Sequence, residues 1–169
     1  MEIKVCNLHD TEIVGKIIAR NLFKGTVLCL DGDLGAGKTT LTQFIAKEFG
    51  VDENITSPTF TIIKEYEGKL PFYHMDVYRI ESDDEMYDLG YEEYIYSDGV
   101  TIIEWSQKII NMLPEERINI YIKRGISDNL RIMSITGKGH VYDRITEELK
   151  KYENTCNWIS FSDGILRTF

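Results

Sequence analysis

The chain has 169 residues, and 43% of them are hydrophobic, which suits one compact globular domain. Its 28 acidic residues outnumber its 19 basic ones, for a formal net charge of −9. This balance argues against direct nucleic-acid binding, because phosphate contacts require a basic surface. The sequence shows no signal peptide, no apolar run of membrane-spanning length and no cysteine pair with metal-ligand spacing. These features predict a cytoplasmic protein with reduced thiols, which includes a buried Cys29.

The first half of the chain reads as a strand and a helix joined by a glycine-rich turn. Asp10 is predicted to cap a helix over residues 11–24. Residues 26–30 form a continuous apolar run, typical of a strand that is buried on both faces. A helix over residues 38–49 follows the turn, and Gly50 ends it. This order predicts an α/β fold with a mainly parallel central sheet, flanking helices and some antiparallel strands.

The rest of the chain continues the alternation of strands and helices. Further strands are predicted over residues 59–66, 70–75, 100–103, 118–122 and 130–136. Further helices are predicted over residues 81–93, 107–112 and 142–152. Residues 154–169 show no clear period. The prediction is therefore one domain over residues 1–152, with residues 153–169 as an extension of unknown role.

A complete phosphate-binding motif, GxxxxGK[ST], covers the glycine-rich turn from Gly32 to Thr39. Glycines let backbone N–H groups approach phosphate oxygens, and the N-terminus of the following helix points at the same charge. Lys38 is expected to contact the β- and γ-phosphates, and the Thr39 hydroxyl to bind Mg²⁺. The residues predicted to bind nucleotide here are Asp33, Leu34, Gly35, Ala36, Gly37, Lys38, Thr39 and Thr40.

Two acidic residues stand at the ends of predicted strands. Glu104 follows the buried run at 100–103, and Asp76 follows residues 71–75. One carboxylate would bind the metal ion and the other would orient water, and the residues alone leave both assignments open.

Four other side chains have a functional and a structural interpretation. Thr59, in Ser57-Pro58-Thr59, either senses the γ-phosphate or belongs to a plain turn. Trp105 either stacks on a purine or fills the core. His74 is a general base or a packed histidine, and Arg79 either neutralises phosphate or pairs with the acids at 81–85.

Four linked motifs occur in the order Gly-Asp-Leu-Gly-Ala-Gly-Lys-Thr-Thr at 32–40, Ser-Pro-Thr-Phe at 57–60, His-Met-Asp-Val-Tyr-Arg at 74–79 and Ile-Glu-Trp at 103–105. Together they resemble the bacterial TsaE (YjeE) family. The resemblance covers roughly residues 3–150 and implies an ATPase of tRNA threonylcarbamoyladenosine synthesis. It implies the partners TsaD and TsaB, which transfer the threonylcarbamoyl group, so that tRNA is reached indirectly through the complex. ATP hydrolysis is expected to reset that complex between turnovers.

The same resemblance implies residue roles. Lys38 binds phosphate, Thr39 and Glu104 hold Mg²⁺, and Asp76 positions or activates water. It places Thr59 in a switch-like loop, Trp105 near the nucleotide and Thr11 close to the base.

Two alternative functions compete with an ATPase. One is a P-loop kinase for a small metabolite, although residues 81–98, where a lid would lie, contain no arginine. The other is a nucleotide-gated assembly module with little turnover. The sequence shows no NKxD-type guanine motif, which favours ATP over GTP.

Overall fold

A seven-stranded mixed sheet forms the centre of the molecule in the computed structural model, which describes residues 1–155. The strands are β1 (Glu2–Val5), β2 (Thr26–Asp31), β3 (Ile63–Glu67), β4 (Pro71–Asp76), β5 (Val100–Glu104), β6 (Ile118–Arg124) and β7 (Arg131–Gly137). Their order across the sheet is β1-β7-β6-β2-β5-β4-β3. The four central strands β6, β2, β5 and β4 are parallel, whereas β7, β1 and β3 pair antiparallel at the two edges. The predicted α/β fold with a mainly parallel centre is confirmed.

Helices cover both faces of this sheet. They are α1 (Leu8–Asn21), α2 (Lys38–Phe49), α3 (Asp83–Asp88), α4 (Glu92–Ile95) and α5 (His140–Thr155), with a 3₁₀ helix at Ser106–Met112. Within residues 1–155 no helix has the length and apolar character needed to cross a membrane. The helix predicted over 142–152 corresponds to α5, and residues 156–169, most of the predicted extension, lie outside the described residues.

Two apolar cores lie on opposite faces of the sheet, and the alternation of side chains along β2 divides them. Leu28 and Leu30 face the core shared with α1, α2 and α5. Val27 and Cys29 face the other core, beneath α3, α4 and the 3₁₀ helix. Because β2 is buried on both faces, every residue from Val27 to Leu30 is apolar, as predicted.

The helix α1 begins three residues earlier than the sequence predicts. The cap is Asn7, whose side-chain oxygen accepts a hydrogen bond from the Asp10 backbone N–H at 2.9 Å. Asp10 lies inside the first turn, and its carboxylate accepts a bond from the Cys6 N–H at 2.8 Å. Asn and Asp both cap helices, so the sequence correctly predicted a polar cap but placed it at Asp10 instead of Asn7.

Other elements also differ from the prediction. The strand predicted from residue 59 begins at Ile63, because residues 59–61 form a turn and Ile62 has a positive φ of 64°. The helix predicted over 81–93 is broken at Gly90, which has a φ of 65° and separates α3 from α4. The short edge strand β1 was not predicted.

Candidate functional site

The glycine-rich loop lies at the carboxyl ends of the parallel strands, between β2 and α2. Gly32 has a φ of 135°, and a Cβ atom there would overlap the backbone carbonyl of Ile122 on β6. A residue with a side chain would therefore push the loop off the sheet, so glycine is required at this position.

The N-terminus of α2 is arranged to bind an anion. Gly37 is its cap residue, with a φ of 111°, and it offers no side chain to the first backbone N–H groups of the helix. The first turn contains no acidic residue. Those N–H groups and the helix dipole favour a negatively charged ligand, as the sequence motif predicts.

Lys38 is buried at the start of α2, with only 5% of its surface exposed. Its Nζ donates to the carbonyl oxygens of Gly32 at 2.7 Å and Asp33 at 3.1 Å, and lies 3.8 Å from the centre of the Trp105 ring. Burial lowers the pKa of Lys38 below 10.5, while the negative charges of Glu104 and Asp76 oppose that shift. The ammonium group is thus held under the loop that is expected to receive the phosphates.

Glu104 and Thr39 form one pair of oxygen ligands. The Thr39 hydroxyl donates to Glu104 Oε2 at 3.1 Å, and the other carboxylate oxygen lies 2.8 Å from His74 Nε2. Glu104 is 2% exposed. Mg²⁺ is typically bound by one or two protein oxygens together with water and phosphate, so this pair fits that ion. His74 is fully buried and packed, and its contact with Glu104 supports the structural interpretation.

Asp76 lies beside Glu104 on the neighbouring strand and has different partners. The two residues are directly opposite in the register of β4 and β5. The Asp76 carboxylate oxygen Oδ2 accepts hydrogen bonds from the hydroxyls of Ser57 at 2.7 Å and Thr59 at 2.6 Å. The sequence left open which acid binds metal, and the hydrogen bond between Glu104 and Thr39 favours Glu104.

The segment after α2 is therefore joined to the strand ends through Asp76. The hydroxyls of Ser57 and Thr59 also lie 2.6 Å from each other. Both residues contact the carboxylate that the family resemblance expects to handle water, so this turn is connected to the candidate site. Its arrangement is suited to a loop that changes position with the ligand.

Trp105 and Arg79 each contact an aromatic ring. Trp105 has a positive φ of 63° and packs against the Tyr78 ring at a centroid distance of 4.9 Å. The Arg79 guanidinium lies over the Phe60 ring at 4.6 Å, and none of the ion pairs among residues 1–155 joins it to the acids at 81–85. The alternative in which Arg79 pairs with those acids is wrong.

Thr11 lines a cleft of about 200 Å³ beside the loop. The loop residues Gly35, Ala36 and Gly37 and the helix residue Thr40 line the same cleft. The Thr11 hydroxyl donates to the Asn7 carbonyl at 3.3 Å, so its position is fixed by α1. The structure thus brings Thr11 next to the loop. The Leu34 side chain, also in the loop, is 81% exposed.

Sequence reasoning missed two arginines that contact the loop. Arg124 ends β6 and donates to the carbonyl oxygens of Leu34 and Gly35, both at 3.2 Å. Arg131 begins β7 and donates to the carbonyl oxygen of Ala36 at 2.9 Å. No local signal identifies them, because about 90 residues separate each arginine from its partners.

Comparison with known proteins gives matches over most of the chain. Residues 5–132 match the family described as "Threonylcarbamoyl adenosine biosynthesis protein TsaE". The tRNA threonylcarbamoyladenosine biosynthesis protein TsaE of Bacillus subtilis is 46% identical over 155 residues, which cover 91% of this chain and 96% of that protein. The protein of the same name from Treponema pallidum is 40% identical over 127 residues, or 75% of this chain and 93% of the relative.

A solved structure agrees with the sequence matches. The crystal structure of Bacillus subtilis YdiB superposes with a TM-score of 0.76 at 40% sequence identity, covering 91% of this chain and 96% of that one. The family match includes the glycine-rich loop, Asp76 and Glu104, and it ends one residue after Arg131. On sequence and fold together, the chain belongs to the TsaE family.

Proposed function

We propose that this protein binds and hydrolyses ATP as a subunit required for the threonylcarbamoyladenosine modification of tRNA. The observation that carries the proposal is the convergence of Lys38, Thr39, Glu104 and Asp76 at one edge of the sheet. A phosphate-binding loop needs a cation, a hydroxyl and acids in this arrangement to act on a bound triphosphate.

Each residue has a role in this reaction. Backbone N–H groups at the start of α2 bind the phosphates, and Lys38 moves its Nζ from the Gly32 and Asp33 carbonyls to the β- and γ-phosphates. Mg²⁺, held by Thr39 and Glu104, would neutralise charge on the transferring phosphoryl group. His74 fixes the orientation of Glu104 through its Nε2.

Asp76 orients the attacking water and accepts its proton. Its Oδ2 is held by the Ser57 and Thr59 hydroxyls, which aim the carboxylate and connect it to the loop after α2. A shift of this loop on nucleotide binding would therefore change the position of the group that handles water. With such coupling, we expect hydrolysis by the subunit alone to be slow.

The setting of the reaction is a complex with TsaD and TsaB. Relatives with 37–46% identity carry names that place them in the biosynthesis of threonylcarbamoyladenosine in tRNA. Because the chain has a net charge of −9, the tRNA contact is assigned to the partners. Hydrolysis in this subunit would then reset the complex between turnovers.

A nucleotide-gated assembly module with little turnover is the second candidate. The observation that favours it is that Asp76 Oδ2 already accepts hydrogen bonds from two hydroxyl groups, which leaves this oxygen less available to a water molecule. In that case the loop would signal the bound nucleotide to partners while hydrolysis contributes little.

Phosphate release from ATP distinguishes the two. It is measured for the purified chain, for TsaD and TsaB together, and for all three, with Mg²⁺ present and then chelated with EDTA. We expect strong stimulation in the three-component mixture and loss of activity with EDTA. Nucleotide binding without stimulated phosphate release would favour the assembly module. Absence of ATP binding would contradict both.

A further inference from the structure

Two arginines that flank the turn of the β6–β7 hairpin hold the carbonyl groups of the glycine-rich loop. Arg124 donates from Nη2 to the carbonyl oxygens of Leu34 and Gly35, each at 3.2 Å. Arg131 donates its Nε to the carbonyl oxygen of Ala36 at 2.9 Å. Three consecutive carbonyl groups of the loop are thus bonded to guanidinium groups.

These contacts determine which way the loop peptides face. In a trans peptide the C=O group of one residue and the N–H group of the next point in opposite directions. A carbonyl held by Arg124 or Arg131 therefore directs the following N–H away from the hairpin. The N–H groups that follow the three held carbonyls are those of Gly35, Ala36 and Gly37. Of these, the Ala36 N–H donates to the Asp33 carbonyl at 3.1 Å, so the N–H groups of Gly35 and Gly37 remain available to a ligand.

The guanidinium of Arg131 is itself fixed by the hairpin. Its Nη1 donates to the carbonyl oxygens of Asp128 at 2.6 Å and Leu130 at 2.9 Å, while Nε bonds the loop. The planar group thus bridges two backbone segments with a defined geometry. On the loop side, a Cβ atom at Gly35 would overlap Arg124 Nη2 and displace it from the loop carbonyls. The φ of 71° at this position also favours glycine.

We propose that Arg124 and Arg131 are positioning residues that hold the glycine-rich loop in the conformation that binds phosphate. They act on the phosphates through the backbone of residues 34–36, and Arg131 also lines the cleft that contains Thr11. This inference rests on the proposed ATP binding and adds to it the residues that preorganise the phosphate site. Preorganisation of the N–H groups reduces the cost of ordering the loop when the phosphates bind.

Inorganic tripolyphosphate is the probe that isolates this effect, because it occupies the phosphate site without a base or ribose. Its affinity and that of ATP are measured by displacement of a fluorescent nucleotide from the full chain. The variants are Arg124→Met, Arg131→Met, the double variant and Arg131→Lys. We expect the double variant to bind both ligands at least roughly tenfold more weakly, since the loop would no longer be preordered and binding would have to order it.

Arg117 provides a matched control. It precedes β6 at the opposite end from Arg124, is half-buried like Arg131, and also donates to a backbone carbonyl, that of Pro114. The variant Arg117→Met should lower the melting temperature without changing the affinity for tripolyphosphate. Arg131→Lys keeps the charge but cannot reproduce the three bonds of the guanidinium, so it should lose affinity almost as Arg131→Met does.

The outcomes separate this inference from the proposed function. If the wild-type chain binds ATP and tripolyphosphate, and the double variant binds them equally well, the positioning role is wrong while ATP binding stands. Full affinity in Arg131→Lys with loss in Arg131→Met would assign the effect to charge and overturn positioning by geometry. A wild-type chain that binds neither ligand would contradict the proposed function, and this inference with it.

Discussion

Asp76 and Glu104 are adjacent carboxylates with different hydrogen-bond partners, and that difference supports the separate roles proposed for them. Glu104 accepts from the Thr39 hydroxyl at 3.1 Å, whereas Asp76 accepts from Ser57 and Thr59. The strand ends alone predicted both acids without this division, which only the family resemblance implied. This division depends on the hydroxyl groups of Thr39, Ser57 and Thr59. Only the folded sheet brings these groups together at the carboxyl ends of the strands.

Asp76→Asn should bind ATP with nearly wild-type affinity and lose about 10²-fold or more in the rate of hydrolysis, because an amide cannot accept the proton from water. Binding is measured by calorimetry, and phosphate release is measured in the presence of TsaD and TsaB. Lys38→Ala is the contrasting variant and should lose at least roughly tenfold in ATP affinity, since it removes the charge facing the phosphates. Unchanged phosphate release by Asp76→Asn would remove the role assigned to this carboxylate.

Cys29 makes the stability of the protein sensitive to alkaline pH. Burial raises the pKa of its thiol from 9.0 to about 12. Above pH 9.0 the unfolded chain releases this proton and the folded chain keeps it, so the free energy of unfolding falls as the pH rises from 9.0 toward 12. The contribution is fully present below that range. It amounts to a loss of about 1.4 kcal/mol between about pH 8 and about pH 10.

Urea denaturation of the wild type and Cys29→Ala at those two pH values tests this prediction. The variant should be less stable at the lower pH because it loses packing in the core under α3 and α4. The difference between the two proteins should then shrink by about 1.4 kcal/mol at the higher pH. All other thiols and tyrosines are common to both proteins. A difference that stays constant with pH would contradict the assignment.

At the scale of elements, the sequence predicted the strands and helices that carry strong periodic signals. The strand β2 and the helix α2 were predicted almost to the residue, because a fully apolar run and a glycine at each helix end leave few alternatives. The edge strand β1 was missed. Its four residues alternate, but they are stabilised mainly by pairing with β7, which is over 120 residues away in the chain.

The boundaries that were wrong depend on backbone conformation that composition does not specify. Ile62 adopts a positive φ, which is rare for a β-branched residue, and this delays the start of β3. Its carbonyl accepts a hydrogen bond from the Asp76 N–H at 2.9 Å, so the turn is held by the strand that carries the functional acid. The alternation of residues along the strand does not predict that contact.

The corrected cap of α1 leads to a prediction at this scale. Asn7→Ala should lower the free energy of unfolding by about 1 kcal/mol, because the Asp10 N–H loses its acceptor at the helix N-terminus. Urea denaturation measures the change. Asn7→Ser is the matched control, since its hydroxyl can still accept this bond, and its stability should stay near that of the wild type. Equal loss in both variants would indicate that packing around Asn7, and not the cap, is responsible.

For the whole molecule, the site joins residues that one motif predicts and residues that only the fold brings together. Lys38 and Thr39 belong to a continuous motif, so spacing alone identified them. Arg124 and Arg131 contact the same loop from the turn of the β6–β7 hairpin, whose sequence contains no recognisable motif. Sequence reasoning finds what is close along the chain, and these contacts are close only in space.

The net charge leads to the last prediction, which concerns the molecule as a whole. With 28 acidic and 19 basic residues, the isolated chain should not bind tRNA at about 0.15 M salt, because few phosphate contacts are available to release counterions. Fluorescence anisotropy of labelled tRNA measures this, with ATP and Mg²⁺ present or absent. The positive control is TsaD with TsaB, which should bind the same tRNA. Binding by the chain alone, weakened steeply by added salt, would reveal a basic patch strong enough to overcome the net charge and would move the tRNA contact onto this subunit.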